Sequence, residues 1–161
     1  MPGLKRLRAL LRECHMIARW RRSTPQGTKR RRGMAEVVVD ASALVDLLLD
    51  NELGRAVRRR IAGHALHAPA HVDAEVLSAL GRLHRADDLD AGTVEVKLRE
   101  LAAAPIERHP VHDLLLGTWA RRQQLRLVDA IYVELAVSCG VPLVTTDRRL
   151  RDASSVEFVA T

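Results

Sequence analysis

The stretch Val37-Val38-Val39-Asp40-Ala41-Ser42-Ala43-Leu44-Val45-Asp46-Leu47-Leu48-Leu49 decides the fold class. Its β-branched run reads as a strand ended by Asp40, and Leu44, Val45, Leu47, Leu48 and Leu49 mark an apolar helix directly behind it. A strand handing over to a helix is the repeating unit of an α/β sheet. Working outward, the spacing predicts a helix over about 52–62, a short strand at 66–68 and a helix over 72–83 with Val76, Leu77, Leu80 and Leu83 inward. A helix over 92–103 ends at Pro105, a strand follows at 106–109, and helices are expected at about 111–124 and 129–139, the last stopped by Gly140. Residues 141–145 form the clearest late strand, a helical turn starts at Arg148, and a final strand covers 156–159. This alternation implies an α/β domain with a central parallel sheet of about four to five strands, flanked by helices on both faces.

The chain has 161 residues, 47% hydrophobic and 29% charged, which suits one domain with a real core behind a tail. The net charge of +6 divides unevenly. Residues 1–34 carry 11 Lys and Arg against the single Glu13, which leaves 15 basic and 19 acidic residues, a net of −4, for the rest. A mildly acidic domain therefore follows a basic leader, and the overall charge says nothing about the domain's partners. In the leader, Leu4, Leu7, Leu10 and Leu11 recur near helical spacing, so 4–22 reads as a basic amphipathic helix and 23–33 as a linker. Its functional readings are a nucleic-acid arm or a membrane-surface helix. The plain reading starts synthesis at Met34, making 1–33 a start-site overcall or a dispensable leader, with the domain at 34–161.

Four aromatic residues, Trp20, Trp119, Tyr132 and Phe158, are too few to build the stacking platforms of OB or RRM folds. Cys14 and Cys139 form no CxxC pair, which points to a reducing, cytoplasmic setting and away from a disulfide framework or a Cys-rich zinc site. No stretch has the length of apolar residues a membrane span needs, and Arg12, Glu13 and His15 break the only stretch resembling a signal peptide.

Ligands of parallel sheets bind outside the carboxyl ends of the strands. Asp40 and Asp147 end strands there, Glu75 lies in a first helical turn, and Asp129 opens a helix, so four acids from separate segments are expected to converge. Carboxylates about 5 Å apart repel by roughly 3 kcal/mol per pair at an effective dielectric near 20. Either a divalent cation neutralises them or some hold protons. All-oxygen ligation favours Mg²⁺ or Mn²⁺ over zinc, and such an ion polarises a phosphoryl oxygen and acidifies a bound water. The implied reaction is hydrolysis of a phosphodiester. Taken singly, each acid also has a plain structural role: Asp129 as a helix cap, Glu75 as a first-turn acid, Asp147 as the cap of the turn at Arg148.

The segments VVVDASALVDLLL (37–49), HVDAEVLSAL (71–80), LVDAIYVELA (127–136) and PLVTTDRRL (142–150) resemble, in order and spacing, PIN-domain ribonucleases, most closely the VapC-type toxins of toxin–antitoxin modules. The resemblance covers 35–161 and none of 1–33. It implies metal-binding acids at Asp40, Glu75, Asp129 and Asp147, a supporting hydroxyl at Ser42, and the family's Thr-x-Asp at Thr145-Thr146-Asp147. It further implies Mg²⁺- or Mn²⁺-dependent endonucleolytic cutting of RNA to 5′-phosphate and 3′-hydroxyl ends, inhibition by a cognate antitoxin, and a homodimer. Leu127-Val128 departs from the family, where small, polar or tyrosyl residues are common, and bears on substrate entry. Two rival readings keep parts of this picture: an RNA-maturation nuclease without antitoxin, and a non-catalytic module whose acids bind a metal or a basic peptide. A haloacid-dehalogenase-like phosphatase fits less well, because Asp40-Ala41-Ser42 lacks the second Asp two residues on.

Other residues are expected in ordinary roles. Asp73 reads as the N-cap of its helix, Asp46 as part of a solvated face, and Trp119 as core with Leu115 and Leu116. His64, His67 and His71 span a strand and Pro69 at a spacing that does not suit joint metal ligation. Of Arg148, Arg149 and Arg151, Arg148 is the expected phosphate contact, and Arg58-Arg59-Arg60 is either an interaction surface or ordinary surface charge.

Overall fold

A computed structural model describes residues 35–153 and 155–160. The basic leader and its expected helix lie outside the described residues. Five strands form one parallel sheet in the order β3-β2-β1-β4-β5: β1 Glu36–Val39, β2 Ala65–Pro69, β3 Ile106–His109, β4 Leu143–Thr145 and β5 Val156–Phe158. Successive residues of a strand face opposite sides of the sheet, and Val37, Val38 and Val39 are all fully buried, so both faces of β1 are covered.

Helices α1 Ala41–Leu49 and α2 Glu52–Ile61 connect β1 to β2, and α3 Val72–Arg85 and α4 Ala91–Ala102 connect β2 to β3. A 3₁₀ turn Val111–Leu114, a short α5 Leu115–Ala120 and α6 Leu127–Cys139 lead back to β4. Helix α1 starts where Asp40 caps it, accepting a 2.8 Å bond from the Ala43 amide. Helix α2 crosses α1 so closely that a Cβ on Gly54 would stand 1.9 Å from the Asp46 carbonyl oxygen. Helix α6 packs on β1, β2 and β4 and stops at Gly140 in the left-handed region, as its sequence predicts. Among the described residues no helix is long and apolar enough to cross a membrane.

The strand order positions the site. From β1 the chain moves outward to β2 and β3, then returns to the other side of β1 as β4 and β5. The carboxyl ends of β1 and β4 therefore flank the point where the winding reverses, which is where a doubly wound sheet opens a crevice.

Five local readings are corrected, and the first is Leu77, expected inward on α3 but 52% exposed. The expected 111–124 helix breaks into the 3₁₀ turn, α5 and a following turn, and Leu115, Leu116 and Trp119 are 54%, 87% and 57% exposed. Trp119 carries the Arg122 guanidinium 5.0 Å from its ring centroid and packs into no core. Asp73 caps nothing: Arg108 of β3 donates to both its oxygens at 2.7 and 2.9 Å, and the N-cap residue of α3 is His71, which makes no side-chain capping bond. Asp46 is not a free solvated acid, since it accepts bonds from Thr146 and Asn51, each at 2.7 Å.

Candidate functional site

A cleft of about 340 Å³ opens beyond β1 and β4, lined by Asp40, Ser42, Asp46, Glu75, Arg82, Asp129, Asp147 and Arg149, among others. It gathers the four acids singled out in the sequence. Asp40 comes from the end of β1, Glu75 from the first turn of α3, Asp129 from the first turn of α6, and Asp147 from just past β4. Helix α6 begins two residues before Asp129, so this acid sits inside the first turn and not at the cap.

Asp40 is 5% exposed and sits in a hydroxyl cradle. Thr145 Oγ1 donates to its Oδ2 at 2.6 Å, and Ser42 Oγ lies 2.8 and 2.9 Å from its two oxygens. Thr145 Oγ1 also accepts the Asp147 amide at 2.9 Å, so a single hydroxyl couples the two acids across β1 and β4. Burial outweighs the cradle and the N-cap bond and pushes the Asp40 carboxyl up to about 6, with the negative charge of Asp147 adding to the rise. A buried carboxylate that holds a proton this readily is short of positive charge.

The other acids are held by different means. Burial pushes the Glu75 carboxyl up, but Tyr132, donating at 2.5 Å, and the His71 imidazole at 3.3 Å hold it below its ordinary range. Tyr132 is itself buried and stays protonated far beyond the usual phenol range. Asp129 is raised by burial and by Asp147 and Glu75, against the opposing pull of Arg149. Asp147 is held low by Arg149, whose guanidinium reaches its oxygens at 2.6, 3.0 and 3.1 Å.

Arg149 therefore occupies the cleft, whereas Arg148 is not among its lining residues. The sequence reading also passed over Tyr132, three residues after Asp129 and hence on the same helix face. It passed over Thr146, whose Oγ1 donates to Asp46 and whose amide donates to Ser42 Oγ at 3.2 Å, closing the end of β4 onto α1. The Arg triplet of α2 divides: Arg58 binds Asp50 at 2.8 Å and Arg60 binds Glu157.

The cleft fits a hard divalent cation. Its donors are carboxylate and hydroxyl oxygens, with no imidazole or thiol among the lining residues, the set that Mg²⁺ or Mn²⁺ prefers. The three histidines of 64–71 disperse, as their spacing predicts. His64 lies beside Arg60, His71 beside Glu75, and His67 faces His109 and Glu107 of β3, a group whose donor atoms are close enough to hold a divalent metal.

Residues 37–156 match the PIN-domain family model. The chain is 56% identical to Ribonuclease VapC3 of Mycobacterium tuberculosis over 119 residues, covering 73% of this chain and 87% of that one. It is 34% identical to Ribonuclease VapC12 of the same species over 128 residues, 77% of this chain and 99% of the relative. The crystal structure of M. tuberculosis VapC20, described as a sarcin-ricin loop cleaving toxin, superposes with a TM-score of 0.59 at 17% identity, covering 78% of this chain and 100% of that one. A toxin–antitoxin complex from Klebsiella pneumoniae gives 0.55 at 16% identity, covering 76% of this chain and 96% of that one.

Proposed function

The chain belongs to the PIN-domain family and is homologous to mycobacterial VapC ribonucleases, and from that premise we propose that it is a divalent-metal-dependent endoribonuclease, the toxin of a toxin–antitoxin pair. Its substrate is RNA, cut to leave 5′-phosphate and 3′-hydroxyl ends. The observation that carries this reading is the convergence of Asp40, Glu75, Asp129 and Asp147, from four separate segments, on one cleft with oxygen donors.

Asp40 and Asp129 would hold the main Mg²⁺, or Mn²⁺ in its place, and Glu75 and Asp147 would complete the pocket. When bound, the ion polarises a phosphoryl oxygen and lowers the pKa of a coordinated water. The protein's own work is positioning. Ser42 and Thr145 fix both oxygens of Asp40, and Tyr132 fixes Glu75 with one oxygen left to orient the attacking water. Arg149 and Arg82, which both line the cleft, are the side chains placed to take an RNA phosphate, and the expected contact from Arg148 moves to its neighbour Arg149. With a net charge of −4 from residue 35 onward, RNA binding rests on these local arginines and the metal. The exposed Leu115, Leu116 and Trp119 support a protein-binding face, for a cognate antitoxin and for a second copy of the chain.

The test is cleavage of total cellular RNA by the full chain with Mg²⁺, with Mn²⁺ and with chelator, beside Asp40→Asn and Asp129→Asn proteins prepared identically. Discrete metal-dependent cuts, lost in both variants and ending in 5′-phosphates, are expected. Equal cutting by wild type and variants would refute the assignment.

A further inference from the structure

A second donor cluster lies on the sheet, outside the acidic cleft. Strand β3 is an edge strand that pairs with β2, with His67 opposite Glu107 and Pro69 opposite His109. Side chains two apart on a strand, and those directly opposite across a pair, share a face. The register thus brings His67, Glu107 and His109 together. His67 Nδ1 lies 2.9 Å from His109 Nε2 and 3.7 Å from Glu107 Oε2, and His109 Nε2 lies 4.0 Å from Glu107 Oε1.

From this geometry we propose that His67, Glu107 and His109 form a zinc-class transition-metal site that ties edge strand β3 to β2, with Glu36 behind it orienting His67. Tetrahedral zinc with bonds of about 2.0–2.2 Å sets neighbouring ligand atoms roughly 3.3 Å apart. With one donor atom from each residue, the three lie within 4.8 Å of one another, and rotation of the exposed Glu107 side chain toward the imidazoles seats the ion.

A second observation points the same way. His67 is 7% exposed, and its Nε2 is buried without a hydrogen-bond partner. That atom faces Glu36 Oε2 at 3.7 Å, on the side of the ring away from His109 and Glu107. A metal on Nδ1 would fix the proton on Nε2, and a small movement of Glu36 would then close the 3.7 Å gap to the carboxylate bond that orients ligating histidines. Two imidazoles and one carboxylate suit Zn²⁺, Co²⁺ or Ni²⁺ and give Mg²⁺ little. The acidic cleft has the opposite preference, so the two sites sort their metals by donor type. Glu107, with a side chain 66% exposed, leaves the fourth position to water. The proposal does not depend on the chain cutting RNA.

The test uses the full chain without a polyhistidine tag, stripped of metal, loaded with Zn²⁺ in excess Mg²⁺, desalted, and assayed for bound zinc and melting temperature. One zinc per chain and a raised melting temperature are expected for wild type, for Cys139→Ser and for the double variant Asp40→Asn/Asp129→Asn. His109→Ala and Glu107→Gln, both at the open edge, are expected to lose the zinc and the metal-induced rise while melting like metal-free wild type. Glu36→Gln is expected to weaken binding about 10–100-fold. Three results would overturn the proposal: no retained zinc in wild type, equal retention in His109→Ala, or loss in the double variant. Loss in Cys139→Ser with retention in His109→Ala would also overturn it, by assigning the metal to the thiol.

Discussion

Replacing Asp40 with asparagine is expected to stabilise the metal-free domain at neutral pH while abolishing its metal-dependent activity. Burial raises this carboxyl from 3.8 to about 6, so the native state pays to ionise it, by an upper bound of about 3 kcal/mol above pH 6. The sign follows from proton counting. Between pH 4 and 6 the native state binds more protons at this position than the unfolded chain, so its contribution to stability falls as pH rises through that window. Asparagine carries no charge to desolvate. Its Oδ1 can accept the Ala43 amide, and its amide group can donate to the hydroxyls of Thr145 and Ser42, which rotate to accept. The expected gain at pH 7.5 is about 1–3 kcal/mol, a rise of several degrees in melting temperature for a domain of this size. Melting wild type and Asp40→Asn in chelator from pH 4 to 8 reads it directly. The gap should be widest above pH 6 and close near pH 4, where both side chains are neutral. A variant no more stable than wild type at pH 7.5, or a gap independent of pH, would refute the reasoning.

Tyr132→Phe removes the Glu75 donor and is expected to lower stability by about 1 kcal/mol and to weaken Mg²⁺ binding, measured by melting and titration calorimetry. Gly54→Ala places a Cβ against the Asp46 carbonyl and should cost about 1–3 kcal/mol by forcing α1 and α2 apart, seen as a lower denaturant midpoint. Arg108→Ala should destabilise more than Asp73→Ala in the same assay, because Arg108 also bonds the carbonyls of Ile106 and Leu101. Arg149→Ala frees Asp147 and is expected to tighten Mg²⁺ binding a few-fold, more at low salt, while slowing RNA cleavage.

The sequence made the sheet legible because each strand announces itself locally. Val37–Val39 carries no polar residue, and the strand at 141–145 lies between Gly140 and Asp147, so neither needs a distant partner to be recognised. The four acids were legible for the same reason: each stands beside an element boundary. Side-chain partners were not, because they depend on which element packs alongside. Asp73 has the position and chemistry of a cap, yet Arg108, 35 residues on, takes both its oxygens. Asp46 reads as a helix surface until β4 brings Thr146 against it. Leu115, Leu116 and Trp119 have core spacing, but periodicity records only that a face is apolar and not whether this chain covers it.

A cation bound among the four acids of the cleft, as proposed, would be coupled to other equilibria. Carboxylates lining one cleft repel one another, and each of the four is relieved differently: Asp40 by a readily held proton, Glu75 by His71 and Tyr132, Asp147 by Arg149, and Asp129 by the charge of Arg149. A cation held there would supply the missing positive charge to all of them at once. Such a cation would compete with the proton on Asp40 at acid pH and with the Arg149 guanidinium for the oxygens of Asp147. Below about pH 6 the proton would compete directly for Asp40, so affinity for Mg²⁺ is expected to fall as the medium is acidified, which titration calorimetry across pH 5 to 8 would measure. A guanidinium freed from Asp147 in this way would stand beside the cleft without its carboxylate, where an RNA phosphate would be the natural replacement.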